Sequence, residues 1–118
     1  MGIGPILTEA IEAGKILKEQ GIDMAIASMG SVKPLDQKFI LDRIKEGFDK
    51  LITLEEHHID GGLGTTVLEL LSEHQIHHIK LKRMGISDHF IHKLGSQNYV
   101  RETEGLNASA IVSLVQSL

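Results

Sequence analysis

Cysteine is absent from this chain of 118 residues, and aromatic residues are scarce, with three Phe, one Tyr and no Trp. Without cysteine there is no disulfide framework, no thiolate metal ligand and no cysteine nucleophile. With so few aromatic rings, the core must be aliphatic. Few side chains are available to stack on the bases of single-stranded nucleic acid, which argues against that kind of binding. Basic residues are outnumbered, and a net charge of −4 argues against binding to a nucleic-acid backbone.

Long apolar runs are also missing. No stretch approaches the roughly 20 residues that a helix needs to cross a bilayer, and the N-terminus lacks the basic and apolar regions of a signal peptide. We therefore expect a cytoplasmic protein. The 42% hydrophobic and 24% charged residues are close to the globular average. We expect one domain over residues 1–118, long enough to bury a core without disulfides or metals.

Helical and strand-like segments alternate along the chain. Apolar spacings of three and four, together with cap residues, predict helices within 5–20, 36–47, 65–73 and 107–115. Short apolar segments predict strands at 22–29, 48–54 and 78–84. This alternation predicts a three-layer α/β/α fold with a small, mainly parallel sheet. Three strands make a narrow sheet, so we expect that a strand is missing ahead of residue 3.

The segment LEEHHIDGGLG, at residues 54–64, follows the second predicted strand. Ligands of open α/β sheets lie beyond the carboxyl ends of strands, and glycines ahead of a helix can leave backbone N–H groups facing an anion. The lysine of a Walker loop and the spacing of a dinucleotide fingerprint are absent. A tight turn that needs glycine torsions is the other interpretation. The possible anion-binding or interface turn comprises Glu56, His57, Gly61, Gly62 and Gly64.

Metal binding and catalysis are poorly supported by the remaining polar residues. Neighbouring residues on a strand point to opposite faces, so the four donors at 55–58 cannot converge on one zinc ion. The histidines at 74, 77 and 78 straddle a predicted helix end. Asp88, His89 and His92 form another polar cluster, but no serine lies in a nucleophile elbow. We predict no catalytic, cofactor-binding or metal-binding residue in this chain.

Four segments together resemble one family. LITLEEHHIDGGLGTTVLELL resembles the strand, EEH turn, GGLG and helix of the transketolase C-terminal domain. SVKPLD, MGISDHFIHKLGS and EGLNASAIVSLVQSL resemble other segments of that domain, in the same order and at matching spacings. Related domains close 1-deoxyxylulose-5-phosphate synthases and the β subunits of 2-oxo acid dehydrogenases. The EEH and GGLG segments are most similar to those of transketolases, especially bacterial or archaeal ones encoded in separate sections.

The resemblance implies that the whole enzyme transfers a two-carbon ketol unit between sugar phosphates, using thiamine diphosphate and magnesium. In this family the preceding domains hold the cofactor, and the C-terminal domain supplies neither cofactor ligand nor catalytic base. We therefore expect a chain that is inactive alone, binds no cofactor and has a structural or oligomerisation role beside the catalytic domains or subunit. The alternative is a docking module, as in 2-oxo acid dehydrogenase β subunits, or a section of a deoxyxylulose-phosphate-synthase-like enzyme.

The same resemblance implies that an apolar central strand precedes the first helix of the domain. We expect this chain to lack that strand. We expect the chain to be a piece of a longer enzyme, or a split-gene section without its first strand. Either case leaves strand edges whose N–H and C=O groups have no partners. A homo-oligomer is therefore expected.

Overall fold

The computed structural model describes residues 1–2, 6–29, 35–58, 62–86 and 107–118. Helices and strands alternate within these ranges, as the apolar pattern predicts. In chain order they are α1 (Leu7–Glu19), α2 (Gln37–Lys45), β1 (Lys50–His58), α3 (Leu63–Glu73), β2 (Lys80–Ile86) and α4 (Ala108–Ser117). In the part of the chain so described, no helix is both long and apolar enough to span a membrane.

The cap residues that the sequence marks are found at the start of α2 and at the ends of α1 and α2, whereas α1 begins two residues later and α3 two residues earlier than predicted. The Asp36 carboxylate accepts a hydrogen bond from the Phe39 N–H at 3.1 Å, and α2 follows. Gly21 and Gly47 come just after α1 and α2 with φ of +81° and +108°. This left-handed conformation costs a glycine little, so both glycines end their helices without strain.

Two apolar clusters cover the two faces of the sheet. Because side chains alternate along a strand, Leu54 of β1 packs against α1 and α4, whereas Leu51 packs against α2 and α3. The first cluster consists of Ile6, Ala10, Ala13, Leu17, Leu54, Ile111 and Val112. The second consists of Met29, Ile40, Leu51, Leu63, Val67, Leu70 and Leu71. The three-layer α/β/α architecture is thereby confirmed.

The strands β1 and β2 pair in parallel, with Leu51 opposite Leu81. The ladder is irregular between Leu54 and His58, and then continues with His58 opposite Ile86. The second strand was predicted to end at residue 54, and this boundary is wrong. Pairing with β2 keeps the acid and histidine residues of the motif inside β1.

The first two residues lie between β1 and the segment at 27–29. Gly2 forms parallel bridges with Ser28 on one side and Leu54 on the other. The Gly2 N–H donates to the Ala27 carbonyl at 3.0 Å, and the Gly2 carbonyl accepts from the Met29 N–H at 2.8 Å. Two residues of a parallel strand are therefore present at this position in the sheet.

The predicted strand at 22–29 does not form a regular ladder, and Ser28 alone in it makes a bridge. A strand is stabilised by its neighbours, and the neighbour here is two residues long. Upstream of residue 27 the segment has no strand to pair with among the described residues. The expectation of a sheet without its first central strand agrees with this arrangement.

Candidate functional site

The carboxylate of Glu55 caps the beginning of α3. Its Oε1 accepts a hydrogen bond from the Leu63 N–H at 2.6 Å, and its Oε2 accepts one from the Gly64 N–H at 3.1 Å. The first N–H groups of a helix have no partner within the helix and carry positive partial charge. A carboxylate that is only 2% exposed therefore has two charge-assisted partners. We call Glu55, Gly62, Leu63 and Gly64 the Glu55 cap.

The glycines of the Glu55 cap make room for their neighbours. A Cβ on Gly62 would collide with Oε1 of Glu55. A Cβ on Gly64 would lie 2.6 Å from the Thr53 Oγ1 and 2.6 Å from the Arg83 Cγ. Gly62 has a φ of −95°, so its backbone is outside the left-handed region. Glycine is required at positions 62 and 64 because neighbouring side chains approach the backbone closely, and not because the backbone has an unusual torsion.

The residues around the cap come from both strands. Thr53 points to the same side of β1 as Glu55, is fully buried, and its Oγ1 has no hydrogen-bond partner among the described residues. Arg83 of β2 donates from Nη1 to the Thr65 Oγ1 at 3.2 Å. The Thr66 hydroxyl donates to the Gly62 carbonyl at 3.0 Å. The strand-to-helix joint is thus tightly packed and bonded.

The predicted turn residues are partly brought together. Gly62 is the N-cap of α3 and Gly64 is its second residue. Glu56 and His57 lie in β1, but their side chains are outside the described part of the structure, as is Gly61. The anion-binding or interface role of this turn stays a prediction. The N–H groups of Leu63 and Gly64 already bind the protein's own carboxylate.

Sequence reasoning missed the residue that organises this site. The sequence presents Glu55 as one of four consecutive metal donors, whereas in the structure its carboxylate accepts a hydrogen bond from the Leu63 N–H, eight residues later along the chain. A signal was present in the alternation of β1. Residues 51, 53 and 55 share a face, and Leu51 belongs to the apolar cluster that α3 covers. A buried acid on that face needs hydrogen-bond donors.

Metal-binding groups are not formed by the described residues. No group of three or more His, Asp or Glu in that part of the chain could hold an ion. The histidines at 74, 77 and 78 are exposed, and α3 ends at Glu73, as the sequence indicates. The described residues therefore do not fit a magnesium site. They do not fit a diphosphate site either, since an acid fills the glycine-rich helix start. Asp88, His89 and His92 lie outside the described residues.

Comparisons with known proteins agree on one family. The model of "Transketolase, C-terminal domain" matches residues 1–111. The chain is 37% identical over 116 residues to a 1-deoxy-D-xylulose-5-phosphate synthase of Syntrophus aciditrophicus (strain SB), covering 98% of the chain and 17% of that protein. It is 34% identical to an apulose-4-phosphate transketolase subunit of Actinobacillus succinogenes, covering all of the chain and 37% of that relative.

A solved structure agrees with this result. The chain matches a split gene transketolase, described as an inactive beta4 tetramer, with a TM-score of 0.81 and 33% identity. The match covers 98% of the chain and 36% of the solved chain. The chain thus spans under a fifth of the matched synthase and little over a third of the matched transketolase chains.

Proposed function

The chain belongs to the transketolase C-terminal domain family, and we propose that it is the C-terminal, non-catalytic section of a transketolase-like thiamine diphosphate enzyme. The observation that carries this proposal is that the whole chain corresponds to a minor part of longer enzymes. Thiamine diphosphate and magnesium would be bound by the rest of the enzyme. The section itself would stabilise that enzyme and contribute to its oligomer. A cytoplasmic location stays a prediction.

The reaction of the whole enzyme has two candidates. Two-carbon ketol transfer between sugar phosphates is the first, and similarity to the Actinobacillus transketolase and to the split gene transketolase supports it. Formation of 1-deoxy-D-xylulose 5-phosphate is the second, and similarity to several synthases of that name supports it, at 32 to 40% identity. Both reactions leave the same role for this section.

Calorimetric titration tests whether this section binds the cofactor. Thiamine diphosphate and magnesium are titrated into the purified chain, and we expect no binding heat. The Actinobacillus transketolase chain, which is similar to this one over all 118 residues, serves as a longer relative in the same titration. Saturable 1:1 binding to the 118-residue chain at micromolar concentrations would contradict the proposal.

Chimeras test whether the role is structural. Residues 1–118 replace the matched segment in the Syntrophus synthase, and separately in the Actinobacillus transketolase chain. A structural section should leave each parent with its own reaction, because it supplies no group that touches the substrate. A folded chimera that exchanges one reaction for the other would show that this section takes part in the chemistry.

Self-association and partner binding are part of the same proposal. The solved relative is described as a beta4 tetramer, and the name of the Actinobacillus relative identifies it as one subunit of an enzyme. We expect this chain to form a homo-oligomer and to associate with the catalytic domains or subunit. Light scattering at micromolar concentration measures the first expectation, and a single monomeric species would contradict it.

A further inference from the structure

Three lysines lie together on one face of the sheet. Lys50 is directly opposite Lys80 in the parallel pairing of β1 with β2, and Lys82 follows two residues later, opposite Ile52. Residues paired in this way, and residues two apart on one strand, point to the same face of a sheet. We call Lys50, Lys80 and Lys82 the lysine face. The pairing of β1 with β2 does not involve the first two residues of the chain.

The lysine face lies outside the part of the sheet that α1 and α4 cover. Leu54 and Met84, which are paired further along the same strands, pack in the cluster formed by these two helices. All three lysines are exposed. On the other face of β2, Leu81 packs against the cluster that includes α3. The alternation of lysine and packed residues along β2 is the pattern of a strand with one face in solvent.

Among the described residues, no ion pair neutralises the lysine face. The ion pairs between described residues lie within α1, within α2 and at the end of α2, and Asp49, the neighbour of Lys50 in the chain, takes part in none of them. Like charges directly opposite each other destabilise a sheet, and Lys50 and Lys80 have this arrangement. An anionic partner would relieve the repulsion, although the chain as a whole has a net charge of −4.

The spacing of the lysines fits carboxylates on an extended polypeptide. Lys80 and Lys82 are separated by two residues of a strand, or roughly 6.6 Å, and acids at alternate positions of an extended segment have the same separation. A nucleic-acid strand fits less well, because the chain has few aromatic residues on which bases could stack. Pairs between lysines and carboxylates at an exposed surface would give specificity and fast association more than high affinity.

We propose that the lysine face binds an acidic segment of a second, different polypeptide, in which Glu or Asp occupies alternate positions of an extended chain. Two of its carboxylates would pair with Lys80 and Lys82, and Lys50 would share the carboxylate that pairs with Lys80. The lysine face is on the opposite face of the sheet from Glu55, since residues 50 and 55 differ by an odd number along β1. The inference goes beyond the proposed function and does not depend on it.

An NMR titration tests binding and its location. The 15N-labelled 118-residue protein is titrated with the capped peptide Ser-Glu-Ser-Glu-Ser-Glu-Ser at 20 mM salt. Amide shifts should concentrate at residues 50 and 80–82 and saturate with a Kd of about 100 µM or tighter, and the affinity should fall about tenfold by 200 mM salt. Absence of saturable shifts, or shifts spread evenly over the lysines of the whole chain, would overturn the proposal.

Two further ligands test the chemistry of the partner. The capped peptide Glu-Ser-Ser-Glu-Ser-Ser-Glu has the same composition and charge but no acids at alternate positions, and should bind about threefold or more weakly. A thymidine oligonucleotide with the same net charge should also bind more weakly than the alternating peptide. Equal affinity of either ligand would show attraction to negative charge of any kind, and the proposal would fail.

Variants of the protein test the role of individual lysines. Lys80→Gln and Lys82→Gln each remove one charge from an exposed position, so the free protein should keep its Tm within about 2 °C while peptide affinity falls about threefold or more. The matched control is Lys18→Gln, which removes an exposed lysine of α1 that is in none of the ion pairs between described residues, and affinity should stay within about twofold. Equal losses for all three variants would overturn the proposal.

Discussion

Glu55 shows how one side chain can connect a strand to the helix that follows it. Its two oxygens bind two consecutive N–H groups at the start of α3, while its backbone remains in β1. Burial of an acid is tolerated here because the helix start supplies both hydrogen-bond donors and positive partial charge. The stability of this joint should therefore depend on the carboxylate itself.

Glu55→Gln should lower the free energy of unfolding by about 1–2 kcal/mol, because the amide keeps the shape of the side chain but loses its charge and one of its two acceptor oxygens. The measurement is urea denaturation at pH 7. The matched control is Glu69→Gln on the exposed side of α3, which should change stability by no more than about 0.5 kcal/mol. Equal effects of the two substitutions would contradict the role of the cap.

Gly62→Ala should destabilise the protein by about 1–3 kcal/mol, because its Cβ collides with the Glu55 carboxylate, and a packed site resists an added carbon. Gly14→Ala in α1 is the control, since its Cβ would make an ordinary contact of 3.4 Å with Ile26 and alanine favours a helix.

A double-mutant cycle identifies the cause of the Gly62 effect. In a Glu55→Ala background the carboxylate is gone, so Gly62→Ala should cost about 1 kcal/mol less than in the parent. Denaturant unfolding of the four proteins gives this coupling energy. A coupling near zero would show that Gly62 is required for some reason other than the approach of Glu55.

The Met1 amine should make stability depend on pH. Burial lowers its folded-state pKa to about 6, whereas the unfolded value is near 8. Between these values the unfolded chain binds the proton more readily, so stability is fully present above pH 8 and falls as the pH drops towards 6, by roughly 2 kcal/mol. Denaturation of the free and N-acetylated proteins from pH 5.5 to 8.5 measures the difference, because the two proteins differ only at this amine. Parallel pH curves would contradict the prediction.

At the scale of the elements, α4 depends on a side chain at its first boundary. The Asn107 Oδ1 accepts from the Ala110 N–H at 3.0 Å, and α4 packs against α1 through Ile111 and Val112. Asn107→Ala should lower the free energy of unfolding by about 1 kcal/mol. Ser109→Ala, at an exposed position two residues later, is the control. A loss of less than about 0.3 kcal/mol for Asn107→Ala would contradict a capping role.

The helices could be predicted from the sequence because their signals are local. Asp36, Asn107, Gly21 and Gly47 each act on the backbone within four residues, so their effect can be inferred without the fold. The end of β1 could not be predicted in this way. It depends on pairing with β2, in which His58 lies opposite Ile86. That contact joins positions far apart in the chain.

The sequence predicts where the candidate site lies, but not which residue binds its backbone N–H groups. The glycines correctly marked the joint between a strand and the helix that follows it, and the anion bound by the backbone N–H groups there is the protein's own carboxylate. The identity of that anion depends on which face of β1 is covered by α3, and this is a tertiary contact. Gly62 was expected to serve a torsion, whereas a steric requirement from Glu55 explains it. Such a steric requirement can be recognised only from the positions of the neighbouring side chains in the folded chain.

At the scale of the whole molecule, the core is divided by the sheet into two apolar clusters. Leu54 and Leu51 of the same strand belong to different clusters, so β1 is the element that holds both layers. The family resemblance covers this arrangement as a whole, which explains why the three-layer fold could be predicted although the end of β1 was not.

The Glu55 cap also has a consequence for the order of folding. Its hydrogen bonds close a loop of only eight or nine residues, whereas the Met1–Ile52 bond spans 51 residues and the Ala108–Glu9 bond spans 99. Short loops lose less entropy on closure, and contacts of low sequence separation form faster. We therefore expect the β1–α3 joint to form early in folding. The contacts of Met1 and of α4 with distant parts of the chain are expected to form after it, which φ-values for Glu55 and Asn107 variants would measure.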